Sequence, residues 1–285
     1  LIICATTPTP LLAKQFNTEI EFAEGLWCLQ DPTYFKHFAV QECPVILDNS
    51  AALLDEPLAF PAMVGLARHM ASPILISPDY QLSGPRTLWA FARAYNMIKT
   101  VKERGHIKLL AVAQGRTLPE FLIAYTLLAK MADVIGIGRQ PAFTVPGRNP
   151  FKRQGPSMDT WYGLNRYNLF CLLERIGILA QDVPHHVLGL NTPLEIVWMS
   201  RFKCIKSLDT SQAWVLAHVG RKVPSGAEAL RRFRRPSFAL HQMTRVQTVT
   251  PEEEALTTYN VMRLRGLANF GELYAQKATR PFGLP

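Results

Sequence analysis

Six short apolar runs along the chain each end in a small cluster of polar residues. They are Val45–Asn49, Ile74–Tyr80, Leu109–Gly115, Val134–Gly138, Val187–Asn191 and Cys204–Thr210. Runs of this length without alternation suit strands buried on both faces, as in a parallel sheet. Longer helical patterns separate them, predicting helices over Thr87–Arg104, Leu118–Met131, Met158–Ile176 and Leu194–Phe202. Ile2–Ala5 reads as a first strand and Leu26–Leu29 as a second, followed by a helical or irregular stretch with Tyr34, Phe35 and Phe38. Near the end, Thr250 as N-cap, Pro251 at the first helical position and Glu252–Glu254 in the first turn announce a helix to about Tyr274. Eight strands alternating with helices predict an α/β fold, a (β/α)8 TIM barrel, with a core over about 1–215 and a basic C-terminal elaboration over 216–285. Polar residues at the C-terminal ends of such strands converge on one mouth, which here would collect Asp48, Asp79, Gln114 and Asp209.

Composition narrows the class. With 285 residues, 48% of them hydrophobic, the chain can bury a substantial core. No run approaches eighteen consecutive apolar residues, so no transmembrane helix is expected. The first residues resemble a barrel strand and not a signal peptide. The five cysteines are scattered, as expected of reduced core residues in a cytoplasmic protein.

The formal net charge is +9, and much of the excess lies in Arg221, Lys222, Arg231, Arg232, Arg234, Arg235 and Arg245, opposed nearby only by Glu228. A second basic group, Arg139, Arg148, Lys152 and Arg153, falls around a Pro/Gly-rich connection from Gln140 to Pro156. Each reads either as a solvated surface or as a patch that attracts a polyanion.

In their order these clusters resemble the tRNA-guanine transglycosylase superfamily. The resemblance covers roughly residues 1–215 and implies roles residue by residue. Asp48 ends the third strand, where the family carries a catalytic aspartate in an Asp-Ser-Gly-Gly-Phe-type motif. Asp79 matches an aspartate that reads the base, and Gln114 with Gly115 a Val-Gln-Gly motif. Gly136 and Ile137 match a glycine-rich turn offering backbone groups. The stretch through Gly189 and Leu190 to Pro193 matches a Gly-Val-Gly-Thr-Pro-like motif, and Asp209 falls where the family has its nucleophile.

Two departures matter. The family's structural zinc needs a cysteine cluster after the last strand, and no cysteine follows Cys204, so no metal and no cofactor are expected. Ser50, Ala51 and Ala52 replace the Gly-Gly-Phe, leaving Tyr80 as one candidate for stacking on the base. A compact, zinc-free pattern is similar to the phage branch that inserts 7-deazaguanines into DNA, which would act in the host cytoplasm. The partners this implies are DNA, a free 7-deazaguanine base and no membrane, with a homodimer left open; tRNA as the polymer, or a non-catalytic nucleic-acid-binding barrel, are the alternatives. Phosphate contacts would come from Arg148, Lys152, Arg153, Arg221, Lys222, Arg231, Arg232, Arg234 and Arg235. Asp55, Glu56 and Asp159 read as solvated or capping residues, and Trp161, Tyr162 and Tyr167 as helix packing. His185 and His186 read as structural, since neighbours in a strand point to opposite faces.

Overall fold

In a computed structural model the described residues are 1–6, 19–100, 106–139, 143–147, 158–190, 192–223 and 249–277. They contain β1 (Ile2–Ala5), β2 (Glu21–Glu24), β3 (Val45–Asp48), β4 (Pro73–Ile76), β5 (Lys108–Ala113), β6 (Val134–Ile137), β7 (His185–Val187) and β8 (Ile205–Thr210). All pairings are parallel. The order is β1-β8-β7-β6-β5-β4-β3-β2, and β1 lies against β2 across the remaining seam. The fold is therefore a nearly closed (β/α)8 barrel.

The absence of alternation in the strands follows from this closure. Cys4, Phe22, Ile46, Ile74, Ile76, Leu110, Val112 and Val134 fill the lumen. The opposite faces, among them Ile3, Ala23, Leu47, Leu75, Leu109, Ile135 and Leu208, pack against the helices in a separate, larger core. Both faces are dry, so both are apolar.

The expected helices form with small shifts at their ends: Gly84–Thr100, Leu118–Leu128, Met158–Arg175, Pro193–Met199 and Pro251–Lys277. Three start on a threonine followed by proline within the first two helical positions. Thr117 and Thr192 accept from the backbone N–H groups of Glu120 and Glu195. At Thr250 the cap is reciprocal: Glu253 N–H donates to Thr250 Oγ1 at 3.2 Å, and Thr250 N–H donates to Glu253 Oε2 at 3.0 Å. The final helix packs on Gln212–His218, Pro193–Met199 and β1.

The second strand is a correction. It lies at Glu21–Glu24, and Leu26–Leu29 falls inside the helix Gly25–Gln30. The cause is a close approach: a Cβ on Gly25 would stand 2.4 Å from the carbonyl oxygen of Asp48. The chain passes β3 there only because Gly25 has no side chain, and it turns at once into a helix that buries Trp27 and Cys28. The helix Pro32–Ala39 follows, capped by Asp31, whose Oδ1 accepts from the N–H groups of Thr33 and Tyr34.

All five cysteines are free thiols. No helix among the described residues is long and apolar enough to cross a membrane.

Gly115 shows how tightly the strand-to-helix turns are built. A Cβ there would lie 2.5 Å from the Phe121 backbone nitrogen, against a helix that cannot give way like a flexible side chain. Gly115→Ala should therefore cost about 1–3 kcal/mol, as overpacking does, read as a lowered midpoint in chemical denaturation.

Candidate active site

Asp48 ends β3, Asp79 follows β4, Gln114 follows β5 and Asp209 is the penultimate residue of β8. They gather at the C-terminal mouth of the barrel, and the structure brings a fourth carboxyl, Glu24 at the end of β2, into the same group. Glu24 is the register partner of Asp48.

Asp209 reaches the mouth through an irregularity. His185 pairs with Ile205 but His186 pairs with Ser207, so β8 carries an extra residue at Lys206. Ile205 thus joins the outer core while Ser207 and Asp209 face inward. One carboxylate oxygen of Asp209, Oδ1, accepts from the Gly189 N–H at 2.8 Å and contacts His186 Nε2 at 3.2 Å. Because a carboxylate only accepts, Nε2–H is the donor to Asp209, and Nδ1 lies 2.8 Å from Ser207 Oγ. His186 stacks on Phe22 inside the lumen, with ring centroids 6.0 Å apart.

The neighbouring His185 points outward, as alternation requires. Its Nδ1–H donates to the Val183 carbonyl at 2.7 Å, and its Nε2 accepts from Tyr125 O–H at 2.8 Å. Burial lowers its pKa to about 4, so it is a neutral structural residue. The structural reading thus holds for His185; His186 is in contact with the site.

The turn that supplies the Gly189 N–H is held from behind. Arg166, wholly buried in the helix Met158–Arg175, donates Nε–H to Glu195 Oε1 at 2.7 Å, Nη2–H to the Gly189 carbonyl at 2.9 Å, and Nη1–H to the Leu188 carbonyl. Gly189 has φ +63, which a residue with a side chain adopts only at a cost. Leu190 locks the far side: its N–H donates to the Asp209 carbonyl at 2.9 Å and its carbonyl accepts from Gln212 Nε2 at 3.2 Å.

Asp79 is gripped by two amides. Asn49 Nδ2 donates to Oδ1 at 2.8 Å, and Gln114 Nε2 donates to Oδ2 at 2.7 Å. The Asn49 orientation is fixed, because its Nδ2 also donates to the Ser77 carbonyl while its Oδ1 accepts from Ala51 N–H. Burial raises the Asp79 pKa, and the two amide bonds act against that rise.

Glu24 and Asp48 meet at Ser50. The Ser50 hydroxyl donates to Glu24 Oε2 at 3.0 Å and accepts from Leu26 N–H at 3.0 Å; the Ser50 N–H donates to Asp48 Oδ1 at 3.3 Å. Ser50 serves both carboxyls from a left-handed conformation, φ 56, uncommon for a residue with a side chain. Burial raises the Glu24 pKa from 4.5 to about 7, with the charge of Asp209 adding to the rise. Asp48 is raised well above the ordinary carboxylate range by burial first, and then by the charges of Glu24, Asp209 and Asp79.

Other residues singled out from the sequence fall as follows. Gly115 is explained by the approach of Phe121. Gly136 and Ile137 lie within the β6 ladder: a Cβ on Gly136 would meet Leu110 and Leu188 in the lumen, and the Ile137 carbonyl accepts from Leu188 N–H. The residue that follows the β6 end is Gly138, whose Cβ position is 4.0 Å from Gln114 Nε2. Tyr80 is half-buried after β4, with the Arg86 guanidinium 3.6 Å from its ring centre and Arg86 itself held by Glu56. Tyr80 therefore has one face covered by a guanidinium.

Arg221 and Lys222 are exposed, but they follow the helix Gln212–His218, which leads roughly 10 Å away from the end of β8. Lys222 Nζ lies 5.1 Å from the ring centre of Tyr259 on the last helix. Arg148, Lys152, Arg153, Arg231, Arg232, Arg234, Arg235 and Arg245 lie outside the described residues. No group of three or more metal-ligating side chains occurs among the described residues.

Sequence reasoning passed over Glu24, Asn49, Ser50, His186 and the Arg166–Glu195 pair. No protein-family model matches the chain, and no curated protein matches it.

Two predictions arise from this geometry. Arg166→Met would leave the Glu195 charge buried without its partner and should cost about 3–5 kcal/mol, whereas the double change Arg166→Met with Glu195→Gln should recover part of it; urea denaturation measures both. The second concerns pH. Folded Glu24 keeps a proton that the unfolded chain has released above about 4.5, so its contribution is full below that pH and is lost as pH rises through about 7. Stability should fall across that window in the wild type, and the fall should be shallower in Glu24→Gln.

Proposed function

We propose that this protein is a base-exchange transglycosylase that replaces guanine in DNA by a 7-deazaguanine such as 7-cyano-7-deazaguanine. The observation that carries the reading is the division of labour among carboxyls at one barrel mouth. Asp209 has one oxygen fixed by the Gly189 N–H and His186. Asp48, opposite in state, is a carboxyl whose proton is retained by burial and by surrounding charge. An anionic carboxylate beside a protonated one is the pair needed to break and remake a glycosidic bond with retention.

The steps follow from these states. Asp209 Oδ2 attacks the anomeric carbon as the bond to guanine breaks with its electron pair on the base nitrogen, and Asp48 gives that nitrogen a proton. The sugar is then an ester of Asp209. The entering 7-deazaguanine returns a proton to Asp48 as its nitrogen attacks the same carbon, and Asp209 leaves as a carboxylate. Two inversions give overall retention.

Asp79 supplies recognition. With Oδ1 and Oδ2 held by Asn49 and Gln114, each oxygen keeps lone-pair capacity for the N–H donors on a guanine edge. Tyr80, backed by Arg86, offers a ring for stacking. In a duplex the target must be flipped out of the stack, and the basic segments that include Arg148, Lys152, Arg153 and Arg231–Arg235 are the candidates for the phosphate contacts that offset this cost.

The test is incubation with labelled guanine and either duplex DNA or tRNA. Label should enter DNA; label only in tRNA would move the protein to the tRNA alternative, and label in neither would favour a binding barrel. Asp209→Ala should abolish exchange, lowering the rate by at least about 10⁴-fold as loss of a nucleophile does, and should trap no covalent sugar adduct. Asp48→Ala should also fail to turn over, and with the polymer alone the covalent adduct should form only slowly, because the departing base lacks its proton.

A further inference from the structure

We propose that Glu24 and Asp48 hold one proton between them, and that Glu24 is thereby the positioning residue that keeps Asp48 supplied as an acid at neutral pH. The inference rests on the transglycosylase reading for its role in turnover, but the shared proton itself does not.

The argument begins with register. Glu24 and Asp48 are paired residues at the ends of adjacent parallel strands, both facing the mouth. Ser50 reaches both side chains from one position. Two carboxylates offer each other only acceptors, so side chains tied this closely are accommodated by a retained proton. Ser50 donates through its hydroxyl to Glu24 and through its N–H to Asp48. The groups whose charge acts on the pair are Asp209 from β8 and Asp79 after β4. Tyr34 and Cys28, from the two helices after β2, also adjoin Glu24, the Tyr34 oxygen lying 3.4 Å from the Glu24 backbone N–H. None of these is a cation. A dianionic pair would be repelled from within and from Asp209, whereas one retained proton leaves a single negative charge spread over both groups.

The arrangement also explains Ser50. Its left-handed conformation turns the N–H toward Asp48 and the hydroxyl toward Glu24 at once, so the two carboxyls are tied into one unit at a fixed separation. In turnover the unit gives its proton to the departing base through Asp48 and recovers one from the entering base. The proton balance closes with no other donor.

Infrared spectroscopy of the free protein tests the sharing without reference to activity. Around pH 7 the wild type should show a protonated-carboxyl C=O band, and difference spectra should show that band shifted both in Glu24→Gln and in Asp48→Asn, because either amide replaces one of the two groups that share the proton. A band that stays in place in either variant, or a wild type without one, overturns the proposal. The second arm is the pH profile of exchange. In Glu24→Gln the alkaline limb of kcat/KM should move to lower pH by roughly 1–3 units, the span by which a neighbouring charge moves a carboxyl; a uniform loss at all pH values would mean a merely structural Glu24 and would overturn its role. If the wild type exchanges no base with either polymer, the transglycosylase reading falls, and the infrared bands alone decide the shared proton.

Discussion

Four carboxyl groups are crowded into a barrel mouth from which water is largely excluded, and everything near them is arranged around their mutual repulsion. Two like charges 4 Å apart interact by about 4 kcal/mol even at an effective dielectric of 20. Such a cluster persists only if each member is given a distinct state. One oxygen of Asp209 receives a backbone N–H and faces an imidazole nitrogen. Asp79 is held between two amides, which offset its burial. Among the described residues Ser50 is the donor to Glu24 and Asp48, and their pKa values rise. The carboxyls of one mouth thus stand in different surroundings, a difference the proposed reaction would use.

That sorting depends on backbone placed with little tolerance. The Gly189 N–H reaches Asp209 because the turn after β7 adopts a positive φ and because Arg166 and Glu195 hold its carbonyls from the side away from the mouth. A buried ion pair of this kind is weak evidence for stability, since hydrophobic replacements are often as good. Its value here is directional: the planar guanidinium fixes two successive carbonyls, and so the N–H that follows from them. The extra residue in β8 has the same effect from the other strand, bringing Ser207 and Asp209 onto the face that His186 occupies.

The barrel was legible because six short, largely apolar runs end in polar residues, a pattern that two dry faces impose, although the seventh strand lies at His185–Val187, ahead of the run Val187–Asn191. The aspartates and Gln114 were legible because strand ends are where a parallel barrel exposes chemistry. Glu24 was not, and the reason is local. Its strand is four residues long with glutamate at both ends, while the adjoining Leu26–Leu29 is more apolar and draws the strand assignment to itself. Only the approach of Gly25 to the Asp48 carbonyl, a long-range contact, moves the strand back to Glu21–Glu24. His186 was half legible: alternation correctly separates it from His185, but a bulge in a different strand decides what it meets. Arg166 left no signal, because its partners are carbonyls far along the chain. For Gly136 and Ile137 the motif order was informative but the register was not; the ladder uses both, and Gly138 follows the strand end.

In the proposed exchange, the contrast between the surroundings of Asp209 and Asp48 is what would separate a nucleophile from an acid. An acid and a nucleophile made from the same functional group must be distinguished by environment alone. At Asp209 the donors act on Oδ1, so the opposing oxygen is the one the proposed reaction would use as nucleophile. At Asp48 burial and three neighbouring carboxyls act together to favour the neutral form, which in the same proposal would supply the departing base with its proton. Exchanging the two roles would require moving the Gly189 turn and the Ser50 turn, not changing either aspartate. In that proposal the role of each carboxyl resides in the turns that face it, which is why a strand-end aspartate can be found in the sequence while its surroundings are fixed only by the closed barrel.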